Sequence, residues 1–262
     1  MRAEDARFVK IGSEYDALLA LAEWRLTSSR RAWGATVVGS ARSSWRRAGD
    51  RIVLEPDVTL TDIGLALECA AFAVLLVRDG GAPARRWFAG FFALIGAAAA
   101  LGAIEHGFVA DKTSSAGVAV WTATLLAVGL AAVAGWGVGA RLVLGRRAAP
   151  AVTSGVALAF AVYAAAVVLG ERRFVVAIAF YLPAALFLLV AFRLAARRGD
   201  ARVNAGAWGL GLTFVAAAVQ QGRVAVHPRF FDHNALYHVI QAVGLYLVFR
   251  GARLATRVAP RA

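Results

Sequence analysis

Polar side chains with reactive chemistry are few in this chain, and their positions are not random. Four histidines occur in 262 residues, and two of them, His233 and His238, open the apolar run "FFDHNALYHVIQAVGLYLVF" at 230–249. Asn234 and His238 are four residues apart, which puts them on one face of a helix, with Gln241 next on that stripe. His106 follows Glu105 at the end of another apolar run. Asp62 and Glu68 lie inside a third. Imidazole, carboxylate and amide groups drawn together could hold Zn²⁺ or another divalent ion. A metal with three protein ligands and an open position activates a water for hydrolysis. On that reading His106, His238, His233 and Asn234 are the metal-ligand candidates, Zn is the cofactor, and Asp62 and Glu68 are the candidate catalytic proton carriers.

The composition states what must position these groups. Sixty per cent of the residues are hydrophobic and 17% charged, and the mean hydropathy is +0.64. Ordinary soluble domains are closer to half apolar and a quarter charged. Seven apolar runs follow residue 57, at 58–77, 87–108, 115–138, 151–170, 174–193, 203–221 and 234–250. Each is about the length needed to cross roughly 30 Å of hydrocarbon. The expected fold is therefore all-α, an integral membrane bundle of seven transmembrane helices. Small residues are dense within the runs, as in "LIGAAAALGAI", which suits close helix packing in lipid. Pro183, inside the fifth run, predicts a kink.

The chain divides into a leader (1–57), the seven-helix domain (58–251) and a basic C-terminal tail (252–262). The leader has no apolar core of a signal peptide. A short amphipathic helix is expected at 14–26, with mobile sequence after it.

The net charge of +13 comes almost wholly from arginine, since Lys10 and Lys112 are the only lysines. The arginines sit at helix ends, not in a patch interleaved with aromatics, so nucleic acid is not an expected partner, and neither is a soluble protein. Membrane lipid is. The segments after the first, third, fifth and seventh runs, with Arg193 and Arg250 at the very ends of their runs, hold 14 Lys and Arg, and those after the second, fourth and sixth hold 5. The positive-inside rule then places the C-terminus in the cytoplasm. The leader carries 10 basic residues on the side this assigns to the outside; an overcalled start would remove that conflict. Arginine over lysine, with abundant alanine, points to a GC-rich bacterial genome and to the inner (cytoplasmic) membrane. Cys69 is the only cysteine, so no disulfide forms within the chain.

With this orientation the polar groups sort to one leaflet. Asp62, Glu105, His106, Asp111, Gln220, His233, Asn234 and His238 all fall at or near the outer ends of their runs. Ionisable groups at membrane depth usually face the bundle interior or a wet cavity, so this end is the candidate site. A retinal protein is excluded, because no lysine follows Lys112. No inverted repeat of the transporter kind is evident.

The segment "NALYHVIQ" (234–241) resembles the seventh-helix motif of the CREST superfamily, which includes alkaline ceramidases and progestin and adiponectin receptor-type proteins. The resemblance implies seven helices, three histidines holding zinc, and hydrolysis of a lipid amide or ester. His238 matches a helix-seven histidine and His106 the helix-two histidine. Asn234 stands where the other helix-seven histidine is expected, and 115–138 holds no aspartate. The phrases "TLTDIGLALE", "EHGF" and "HNALYHVIQ" look like the core of an uncharacterised bacterial family distantly related to that group. Two functions follow as expectations: a membrane-embedded metal-dependent hydrolase open to the outer leaflet, or a non-catalytic protein binding a lipid or partner through a degenerate site.

Overall fold

A computed structural model describes residues 53–80, 82–144, 147–227 and 230–257. Seven helices run through them: α1 (Pro56–Arg78), α2 (Pro83–Phe108), α3 (Ser115–Val143), α4 (Ala148–Leu169), α5 (Phe174–Arg198), α6 (Ala205–Gln221) and α7 (His233–Ala255). A short 3₁₀ turn, Ala201–Asn204, leads into α6. All seven are long and apolar enough to span a membrane, the sixth when its 3₁₀ turn is counted. The fold is all-α; among the described residues the only β-type pairing is the isolated bridge between His227 and Phe231. The leader through residue 52, with the helix expected at 14–26, lies outside the described residues.

Local sequence sets the helix starts. Pro56 and Pro83 stand in the first turns of α1 and α2, where the missing N–H costs nothing. Ser114 caps α3 by accepting from the Gly117 N–H at 3.1 Å, and Asp232 caps α7 by accepting from Asn234 and Ala235 at 2.8 and 2.9 Å. At the arginine-rich end α3, α5 and α7 run several residues past their apolar cores, to Val143, Arg198 and Ala255. Long arginine stems can lie along apolar surface while their heads reach water, so charge there need not end a helix. Helix α5 continues through Pro183.

Neighbouring helices pack in the order α1–α2–α3–α5–α6–α7 and back to α1, with α4 outside this ring against α3. Helix α4 accordingly leaves most of its surface to lipid: Leu158 and Leu169 are 71% and 87% exposed. Its inward contacts are aromatic. Tyr163 stacks on Phe180 of α5 at 4.7 Å and donates its hydroxyl to the Leu125 carbonyl at 2.9 Å. The main core joins α1, α2 and α7 through Phe72, which stacks on Phe249 at 4.3 Å and meets Phe92 edge-on at 5.3 Å. Between α6 and α7 the backbones themselves touch. A methyl group at Gly209 would collide with the Gly244 carbonyl, and one at Gly251 would lie 2.5 Å from the Gly206 nitrogen. Lipid offers no hydrophobic drive to helix association, so this close backbone packing carries the α6–α7 contact.

Candidate functional site

The start of α1, the end of α2 and the start of α7 meet at one end of the bundle. Asp62 is six residues into α1, about 9 Å along its axis. Its Oδ1 lies 3.3 Å from His238 Nε2 on α7, and both side chains are buried. His238 Nδ1 is 3.1 Å from the Thr61 hydroxyl. The imidazole is therefore held at both nitrogens by consecutive residues of α1. Thr61 Oγ1 is also within reach of the Asp57 and Val58 carbonyls, at 3.0 and 2.9 Å.

The second oxygen of Asp62 is aimed at α2. A Cβ at Gly102 would stand 2.8 Å from Asp62 Oδ2, so the carboxylate fits only because position 102 has no side chain. Gly107 takes Thr59 in the same manner one to two turns later. Asp62 Oδ2 has no hydrogen-bond partner among the described residues, and neither have Glu68 Oε2, Glu105 Oε2 or Gln241 Oε1. Asp62 and Glu105 are 3% and 4% exposed, so water does not obviously compensate them. A buried oxygen without a donor is costly, which makes four of them in α1, α2 and α7 a feature requiring a reason.

The rim of the site is better satisfied. His106 Nδ1 meets Glu55 Oε2 at 2.6 Å. Glu55 flanks the start of α1, and the Leu54 N–H donates to the Gly107 carbonyl at 3.2 Å. Asp57 Oδ2 accepts from the Asp232 N–H at 3.0 Å, tying the start of α1 to the cap of α7. Gln220 donates to Asn234 Oδ1 at 3.1 Å. Asp111 is turned to its own loop, accepting from the Thr113 hydroxyl and N–H at 2.6 and 2.9 Å. Those bonds hold its carboxyl below the usual carboxylate range.

This geometry corrects the metal reading. Among the described residues no group of three or more His, Cys, Asp or Glu side chains could hold an ion. The four residues expected as ligands are each engaged elsewhere. His106 faces Glu55, His238 is held by Thr61 and Asp62, His233 lies 3.8 Å from Asp232, its own helix cap, and Asn234 pairs with Gln220. The Zn expectation therefore fails. Asp62 and His238 do come together. Glu68, seven residues beyond Thr61 on the same helix, lies deeper and half-buried.

Sequence reasoning passed over Glu55, which it had assigned to the leader, and Thr61, whose hydroxyl in a helix reads as ordinary packing. Pro56, one residue after Glu55, was a usable signal for an earlier helix start.

Fold and site together define a multi-pass helical membrane protein with a buried polar cluster at one end of its bundle. The chain belongs to a family of unknown function, DUF6962, whose profile matches residues 58–257. No curated protein and no solved structure matches it. The likeness to the CREST superfamily, drawn from the seven-helix topology and the helix-seven motif, finds no support in these comparisons.

Proposed function

We propose that this protein binds the polar head of a membrane lipid, without metal, at the α1–α2–α7 end of the bundle. The observation that carries the reading is the set of buried oxygens lacking donors: Asp62 Oδ2, Glu68 Oε2, Glu105 Oε2 and Gln241 Oε1. Three of the four are carboxylate oxygens, so a cationic donor such as a primary amine complements them in both charge and hydrogen bonding. The excess of arginine at the opposite end favours a cytoplasmic C-terminus in a bacterial inner membrane. That orientation presents the cluster to the outer leaflet, where a headgroup reaches it without crossing the bilayer.

The test uses two lipids that differ in donors. Phosphatidylethanolamine carries an ammonium with N–H groups, and phosphatidylcholine of the same acyl chains carries none. Native mass spectrometry of the detergent-purified protein is expected to retain the ethanolamine lipid in preference. Asp62→Asn and Glu105→Gln should each reduce that preference. Equal retention of both lipids by the unaltered protein would defeat the proposal.

A second reading is favoured by one contact set. Thr61, His238 and Asp62 stand in the order of nucleophile, base and orienting carboxylate. This arrangement supports hydrolysis of a lipid amide or ester with no metal. Release of fatty acid from such a lipid, kept in Thr61→Ser and lost in Thr61→Ala, would establish it. Equal release by both variants would remove it.

A further inference from the structure

The other end of the bundle has an apolar groove that the polar cluster does not explain. It lies between α2 and α3 with a volume of about 280 Å³, walled by Trp87, Leu94, Leu130 and Val133. Gly90 also lines it, and a Cβ built there meets nothing within 4 Å, so the space beside it is open. From Arg86 to Leu94 the groove follows α2 for eight residues, roughly 12 Å along the helix axis.

One end of the groove is cationic. Arg86 lines it and is exposed, with no hydrogen bond or ion pair to any described residue. Its neighbour Arg85 is entirely different, being buried and bonded to Thr256, Asp79 and Gly80. Arg141 of α3 does not line the groove itself but lies 4.1 Å above the ring of Trp87, which does. Its Nη1 donates to the Gly137 carbonyl and the Thr153 hydroxyl at 2.8 and 3.1 Å. Asp79, the acid of the adjoining loop, is taken by Arg253 at 2.8 Å. The groove thus has Arg86 in its lining and Arg141 stacked on one of its wall residues, and no described carboxylate forms an ion pair with either.

We infer that this groove holds one acyl chain of an anionic glycerophospholipid, whose phosphate group sits between Arg86 and Arg141. The apolar walls match a hydrocarbon chain, and the uncompensated arginines match the headgroup charge. Arginine presents a planar fork suited to phosphate, while the indole of Trp87 occupies the headgroup level. The site is independent of the polar cluster, which lies at the opposite end of α2.

The experiment titrates delipidated protein in detergent with phosphatidylglycerol and, separately, phosphatidylcholine of identical acyl chains, reading bound lipid by native mass spectrometry. The expected result is a preference for phosphatidylglycerol of roughly fivefold for each arginine engaged. Arg86→Gln, at an exposed position, should cost about one such factor. Gly90→Leu, at a position where an added Cβ meets nothing within 4 Å, puts a side chain into the groove and should lower retention of both lipids in this assay. Neither variant should alter the ethanolamine preference at the polar end. Equal binding of the two lipids by the unaltered protein overturns the inference. So does a preference left undiminished by Arg86→Gln, retention of both lipids left unchanged by Gly90→Leu, or a dimer whose interface covers the groove and shows no lipid selectivity.

Discussion

At the arginine-rich end, Arg85 is buried, and its guanidinium meets the Thr256 hydroxyl at 2.9 Å, the Thr256 carbonyl at 3.0 Å and the Asp79 and Gly80 carbonyls at 3.0 and 2.7 Å. At the opposite end, Asp62 and Glu105 are buried as deeply, yet each keeps an oxygen with no donor among the described residues. Both ends bury charge, but only one completes its hydrogen bonds within the fold. The Arg85 network closes the loop between α1 and α2 onto the end of α7, so its role is to hold three helices together. The carboxylates lack such closure, and the proposed headgroup site rests on that difference. Burial alone does not separate a structural charge from a functional one; the satisfaction of its hydrogen bonds does.

The comparison can be broken most severely at Arg85. Arg85→Ala takes away the donors of the buried Thr256 hydroxyl and carbonyl and unties the exposed Asp79–Gly80 loop, and at roughly 1–3 kcal/mol for each buried group a loss of about 2–6 kcal/mol is expected in thermal or denaturant unfolding in detergent. Arg85→Lys should recover only part of it, because an ammonium cannot reproduce the fork. An unchanged unfolding midpoint in Arg85→Ala would mean that the network does not hold the helices.

A substitution at Gly102 acts next most strongly, and at the other end. Gly102→Val forces a side chain against Asp62 Oδ2 and should destabilise by about 1–3 kcal/mol. It should also reduce ethanolamine-lipid retention, because Asp62 must leave His238. Full retention in a folded Gly102→Val protein would show that the Asp62 position is unimportant to binding.

Asp62→Asn sharpens the contrast. The amide keeps the shape and removes an uncompensated acid, so stability should stay within about 1 kcal/mol of the unaltered protein. Lipid preference should fall nevertheless. A large stability loss would instead place Asp62 among the structural charges, beside Arg85.

The smallest effect is expected away from both ends' interiors, in the loop between α4 and α5. Glu171 is bonded to Arg173 at 2.7 and 2.8 Å, and this holds the Glu171 carboxyl below its usual range. A depressed carboxyl contributes stability above its unfolded pKa and loses it as pH falls through the folded one. The pair is exposed, where ion pairs are worth little. Glu171→Gln should therefore leave the unfolding midpoint unchanged both at neutral pH and below the carboxylate range. A clear shift at neutral pH alone would show that the loop is more constrained than its exposure implies.

The helices were legible because uninterrupted apolar runs about 20 residues long have few alternatives in a chain this hydrophobic. Their ends were less so. Pro56 begins α1 before the apolar run starts, and arginine stems let α5 reach Arg198. The site was half legible. Depth singled out Asp62 and His238, since both lie well inside their spans, and the structure joins them. The zinc expectation failed because residue types and shared depth do not specify partners: His106 is drawn to Glu55, across 51 residues of sequence. Arg85 carries the same lesson, since its contacts with Thr256 span 171 residues and leave no local signal.

The most direct test of the central claim is to locate the amine headgroup. A phosphatidylethanolamine bearing a photoreactive group on its head, cross-linked in membranes and mapped by peptide mass spectrometry, should label residues around Glu55–Asp62 and Asp232–Gln241. Labelling should fall in Asp62→Asn. Adducts confined to the arginine-rich end, or spread evenly over the lipid-facing helices and unchanged in Asp62→Asn, would contradict the account.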